Sequence, residues 1–170
     1  MPGSTLIFGW GNPSRGDDAL GPVFAERLQA LSLTRPDWGG MTFQTDFQLQ
    51  VEHALDLQGH NRVLFVDACS TGPAPFSLVP VVPNKDASFT THSMTPQAVL
   101  HTYWEMEDEP PPPSWLLAIR GQCFELGDAM SPSAKENLAA ALVWAENWLT
   151  RGDGGKVQYS TATADRLRNP

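Results

Sequence analysis

A few side chains in this sequence have the types and settings to do chemistry: Asp18, Asp67, His92 and, less directly, Cys69. Two carboxylates and an imidazole make a set of hard and borderline donors suited to a divalent metal with open coordination positions. The same set could hold a water and act on it as a general base. Cys69 stands two residues beyond Asp67, and a thiolate paired with His92 would be a nucleophile of the cysteine-hydrolase kind. Against that stands the ordinary behaviour of a lone cysteine as a small buried thiol.

Each of these residues also has a plainer reading. Asp17-Asp18 ends a loop that opens with Gly9-Trp10-Gly11-Asn12 and invites comparison with a dinucleotide-binding turn. Ser14 occupies the third glycine position, and two carboxylates stand where a phosphate needs N–H groups and positive potential, so the comparison fails. The absence of a lysine in the loop excludes a P-loop as well. The pair could complement the dipole of a helix beginning near Gly21, one carboxylate capping while the other turns toward a crevice. Asp67 closes the apolar run Val63-Leu64-Phe65-Val66, where an open α/β sheet presents ligand-binding groups. His92 lies in Thr90-Thr91-His92-Ser93-Met94-Thr95-Pro96, a polar loop entering a helix, where most histidines are simply surface residues. His53, His60 and His101 are expected on helix or turn surfaces.

Strands alternating with helices must position these groups. Leu6–Trp10 reads as a buried strand cut off by Gly-Asn-Pro. Gly21–Leu31 then has an apolar face at Val23, Phe24, Leu28 and Leu31. Met41–Thr45 is expected to be a strand and Val51–Leu57 a short helix. Val63–Val66, apolar throughout, reads as a central parallel strand covered on both faces. Leu78–Val82 carries an internal proline and belongs at an edge. Thr95–Tyr103 is expected to be helical with Pro96 in its first turn, and Ser114–Ile119 to be the last strand. Glu105–Pro113, acidic and ending in consecutive prolines, reads as an extended spacer. Ser131-Pro132-Ser133 caps a final helix to Thr150, with Leu138, Leu142, Ala145 and Leu149 on one face.

The pattern predicts a three-layer α/β/α sandwich with a mainly parallel central sheet and an edge strand free to run antiparallel. At 170 residues the chain suits one domain, expected over 1–150, with a polar, mobile tail over 151–170. A net charge of −8 disfavours nucleic acid and anionic membrane as partners. The start, Met1-Pro2-Gly3-Ser4-Thr5, lacks the charged and apolar regions of a signal peptide, and no apolar run is long enough to span a bilayer. The expected compartment is the cytoplasm, with Cys69 and Cys123 as free thiols.

The residues resemble the nickel–iron hydrogenase maturation endopeptidases. The likeness runs through Gly9-Trp10-Gly11-Asn12-Pro13-Ser14-Arg15-Gly16-Asp17-Asp18-Ala19-Leu20-Gly21, then Phe65-Val66-Asp67-Ala68, then Thr91-His92-Ser93-Met94-Thr95-Pro96. Asp46–Leu55 is similar to the subgroup that processes the NAD-reducing hydrogenase. The resemblance implies that Asp18, Asp67 and His92 are both the metal-binding and the catalytic residues of an aspartate-dependent protease. It implies an endopeptidase that removes the C-terminal extension of a hydrogenase large-subunit precursor once nickel has been inserted. The nickel would be supplied by that nickel-loaded precursor, with no tightly bound cofactor of the enzyme's own. A nickel-binding chaperone or checkpoint module without hydrolytic activity is the alternative. Trp10 in the glycine loop, the prolines at Pro110–Pro113 and the polar tail depart from the family pattern, and none of them touches the implied ligands.

Overall fold

The computed structural model describes residues 3–85 and 94–152. Five strands form one sheet: β1 (Thr5–Trp10), β2 (Met41–Asp46), β3 (Arg62–Cys69), β4 (Phe76–Val81) and β5 (Ser114–Arg120). Their order is β2-β1-β3-β5-β4, parallel except for β4, which pairs antiparallel with β5 at the edge. Helices α1 (Leu20–Ser32), α2 (Pro96–Glu107) and α3 (Pro132–Arg151) cover the sheet. No helix among the described residues is long and apolar enough to cross a membrane.

Alternation along the strands separates two cores. Ile7, Leu64, Val66, Leu117 and Ile119 pack with Phe24 and Leu28 of α1 and Leu138 and Ala145 of α3. Leu6, Phe8, Val63 and Phe65 point the other way, onto Val99 and Leu100 of α2 and onto Ala54 and Leu57 of a 3-10 segment, Val51–Leu57. This is the expected three-layer sandwich, and Val63–Val66 is fully buried because both faces of β3 are covered. Each large side chain buried this way contributes roughly 1.5–3 kcal/mol. Pro80 lies on the edge strand β4, where a missing N–H is tolerated.

The helix starts follow their capping residues. Thr95 Oγ1 accepts from Ala98 N at 3.2 Å, with Pro96 in the first turn of α2. Ser131 Oγ accepts from Ala134 N at 3.2 Å, with Pro132 opening α3. α2 runs on through Glu105 to Glu107 and stops at Asp108 in the left-handed region, so the acidic start of the expected spacer belongs to the helix. Val51–Leu57 is a 3-10 segment, and a further 3-10 turn, Gly16–Ala19, leads directly into α1. The tail expected over 151–170 falls, apart from Arg151 and Gly152, outside the described residues.

The first loop is anchored by backbone-to-backbone contact that only glycine permits. A Cβ on Gly21 would lie 2.4 Å from Trp10 O and 2.8 Å from Val66 O, and one on Gly9 would lie 2.1 Å from Gly21 O. The start of α1 therefore sits directly on the ends of β1 and β3. Because α1 leads to β2 on one side of β1 while β3 lies on the other, these ends form the switch point of the sheet.

Candidate active site

Asp18 and Asp67 both lie at this switch point. The backbone folds tightly at Gly11, whose φ of 148° and distance of 1.9 Å from a would-be Cβ to Asp18 O admit no side chain. The reward is a fixed carboxylate: Asn12 N donates to Asp18 Oδ2 at 2.7 Å, while Ser14 N donates to Asn12 Oδ1 at 2.9 Å. Asp18 N donates to Arg15 O at 3.0 Å, closing the turn, and the side chain stays half-buried.

Asp67 is the sixth residue of β3, not the residue after it, because β3 stays paired with β5 through Cys69 and Arg120. By strand alternation its side chain shares a face with Val63 and Phe65. Among the described residues its carboxylate accepts one hydrogen bond, from Ala68 N at 2.8 Å. Burial pushes its pKa up to about 7; the Ala68 bond works against that, and the like charge of Asp18 adds to it. The two carboxylates thus share an electrostatic neighbourhood in which one resists losing its proton.

Asp17 has the opposite fate. Its carboxylate is fully buried and accepts from Gln122 N at 2.7 Å, Cys123 N at 3.0 Å, Ser131 N at 2.7 Å and Ser131 Oγ at 2.7 Å. Burial alone would raise its pKa, but these donors together hold it below the ordinary value. One aspartate of the pair therefore acts as a structural tie, to the N-cap of α3 and not to its own helix, while the other faces the crevice.

His92 lies outside the described residues. The chain is described again from Met94, whose N–H donates to Leu49 O at 3.2 Å beyond the end of β2. Among the described residues no group of three His, Cys, Asp or Glu side chains is arranged to hold a metal ion. Asp18 and Asp67 are the part of the expected set that is on view.

The expectation that His53 lies on a surface is corrected: it is 6% exposed. Its Nδ1 accepts from Gln50 N at 2.8 Å, so Nε2 carries the proton and donates to Asp46 Oδ2 at 3.1 Å. The ring also meets Phe8 edge-on at 4.5 Å. Gln50 and His53 cap the 3-10 segment reciprocally, without the Ser/Thr-x-x-Glu/Gln types that mark such a box in a sequence. The Asp17–Ser131 tie had no local signal either, because it joins residues 114 apart.

Cys69 is half-buried, and burial pushes its thiol up; nearby Arg120 offsets this only in part. A thiol above its ordinary value is a poor nucleophile near neutral pH, which weighs against the cysteine-hydrolase alternative.

No family model matches the sequence, and no curated protein matches it. Solved structures do match in fold. The [NiFe] hydrogenase maturation protease HycI from Thermococcus kodakarensis KOD1 superposes with a TM-score of 0.66 at 22% identity, over 87% of this chain and 92% of that one. The endopeptidase HycI from Escherichia coli gives 0.63 at 22% identity, over 92% and 96% of the two chains. The hydrogenase maturating endopeptidase HybD from E. coli gives 0.63 at 19% identity, over 88% and 94%. The chain therefore has the α/β fold of the hydrogenase maturation proteases over nearly its whole described length.

Proposed function

We propose that this protein is a cytoplasmic endopeptidase that removes the C-terminal extension of a nickel–iron hydrogenase large-subunit precursor after nickel insertion. The observation that carries this reading is the pairing of Asp18 with Asp67 at the switch point, with the Asp67 carboxyl raised to about 7. A carboxyl with that pKa can exchange a proton near neutral pH, as a general acid or base must. It also gains most from an arriving cation, which would relieve the repulsion from Asp18 and replace the proton. The fold likeness to maturation endopeptidases supports the substrate class. The sequence resemblance at Asp46–Leu55 favours the large subunit of an NAD-reducing hydrogenase.

In this reading the metal is part of the substrate. Nickel held by the precursor's thiolates is engaged by Asp18, Asp67 and His92, which sets the scissile peptide beside the carboxylates. Asp18, held by Asn12 N, serves as a ligand; Asp67 accepts a proton from the water that attacks the scissile carbonyl and returns it to the peptide nitrogen as the C–N bond breaks. The catalytic unit spans 1–150.

The test is the mass of the precursor after incubation with the enzyme, with and without nickel. Nickel-dependent loss of a C-terminal peptide, abolished by Asp18→Ala, Asp67→Ala and His92→Ala, is the expected result. An unchanged precursor mass with nickel still bound would replace the peptidase with a nickel-binding checkpoint module, which a half-buried carboxylate pair would also suit.

A further inference from the structure

Close packing leaves one residue of Gly9-Trp10-Gly11 able to carry a side chain. A Cβ on Gly9 would lie 2.1 Å from Gly21 O and one on Gly11 would lie 1.9 Å from Asp18 O, whereas Trp10 turns its indole away from α1 and packs with Phe8 and Phe65. Its ring centroid lies 6.0 Å from that of Phe8 and 6.0 Å from that of Phe65, meeting Phe65 edge-on. Trp10, which the motif comparison sets apart from the implied ligands, in fact stands beside one of them. β1 and β3 pair as Phe8 with Phe65 and Gly9 with Val66, so the next position in register sets Trp10 level with Asp67, on the face that Asp67 shares with Phe65, with backbones about 5 Å apart. Phe8 and Phe65 are fully buried, but Trp10 is only half-buried, so part of the indole stays open to solvent.

We infer that Trp10 is a specificity-determining residue, its indole the wall against which an apolar side chain flanking the precursor's scissile bond seats. The inference rests on the proposed peptidase reading and deepens it by naming what the site selects beside the bond it cuts. A peptide bond brought to Asp67 stands one strand spacing from the indole, and residues of an extended peptide follow one another at about 3.3 Å, so a residue next to that bond reaches the ring. The surroundings of the ring pick out the class of side chain. Phe65 backs it, and Met94 and Leu116 pack on the same cluster. On the other side of Trp10, Asp46 of β2 has both carboxylate oxygens engaged, one by Phe47 N–H and the other by the His53 ring. A cationic side chain would therefore find the indole face there without a carboxylate left over to pair with. An apolar side chain needs no such partner and gains from all the surface that the ring covers.

The experiment compares cleavage of the nickel-loaded precursor by the full chain and by its Trp10→Ala variant, with the product mass fixing the scissile bond. Precursor residues within two of that bond are then changed singly to alanine, and kcat and KM are measured for every pairing of enzyme and precursor. Trp10→Leu serves as a second variant should Trp10→Ala melt early. Trp10→Ala is expected to raise KM about tenfold with kcat within threefold. One apolar precursor residue should lose about fivefold in kcat/KM on its change to alanine when Trp10 is present, and under twofold when it is absent, the mark of two side chains in contact. Independent effects at every position overturn the wall and leave the peptidase standing. Coupling to a lysine, arginine or histidine of the precursor overturns the apolar class. A fall in kcat at unchanged KM overturns the inference by showing that Trp10 orders the carboxylates and not the substrate. Absence of cleavage by the unaltered protein overturns the peptidase reading, and this subsite with it.

Discussion

Asp17 and Asp67 are carboxylates withdrawn from water in the same small region, and their surroundings differ in one respect. Asp17 receives two backbone donors from the 122–123 loop and both the N–H and the hydroxyl of Ser131. Asp67, among the described residues, receives Ala68 N–H and the repulsion of Asp18. The first is held charged and the second is pushed toward its neutral form. Saturation with donors turns a buried aspartate into a structural tie, whereas withholding donors leaves one ready to take a proton or a cation.

The sharpest way to break this contrast is at Asp67. Asp67→Asn should lower precursor cleavage by a thousandfold or more, roughly the 4 kcal/mol that such a factor represents. It should do so without unfolding the protein, as followed by precursor mass alongside circular dichroism. If cleavage persisted in the Asn variant, the Asp67 carboxylate would have no place in the chemistry.

Asp17→Ala should instead attack stability. It strips a buried charge from several donors at once and is expected to cost about 3–5 kcal/mol in denaturant unfolding. A loss near zero would mean that water replaces the carboxylate freely and that the tie is decorative.

The two residues should also differ in pH dependence. The Asp67 carboxyl is raised from 3.8 to about 7, so its contribution is fully present below about pH 4 and is lost as pH rises through 7. The displacement corresponds to at most roughly 4 kcal/mol. Asp17, whose pKa is lowered, contributes above pH 4 and loses its contribution in stronger acid. Unfolding of the metal-free protein across pH 4–8 should therefore show a fall that Asp67→Asn removes; a slope equal in the two proteins would refute the assignment.

The smallest effect is expected at Cys69. With its thiol raised by burial, Cys69→Ser should leave cleavage within about threefold, a change of under ~1 kcal/mol. Abolition by that substitution or by alkylation would reinstate the thiol as nucleophile.

Much of this architecture was legible because its signals are local. Val63–Val66 announced a doubly covered strand by unbroken apolarity, Pro80 marked the edge, and Thr95-Pro96 and Ser131-Pro132 marked helix starts. The loop after β1 and the apolar run of β3 carry Asp18 and Asp67 to the carboxyl end of the sheet, and the sheet order brings them to one switch point. What escaped was non-local. Asp67 falls inside β3 because β5 pairs alongside it, and nothing in residues 62–69 encodes that partner. His53 is the local exception: its partners Gln50 and Asp46 stand three and seven residues away, but their types do not make the usual Ser/Thr-x-x-Glu/Gln box. The division of labour between Asp17 and Asp18 depends on a contact with Ser131, beyond the reach of any window of sequence.

That contact has a consequence for how the molecule comes into being. Asp17 precedes the groups that fix it, Gln122, Cys123 and Ser131, by 105, 106 and 114 residues. A chain that ended at β3 would lack the donors to the Asp17 carboxylate that Gln122, Cys123 and Ser131 supply. The carboxylate of Asp17 is thus tied down only once the 122–131 segment is in place. In the finished protein the same closure links the amide of Asp17 to the stability of the whole domain, so its hydrogen exchange should be as slow as global unfolding.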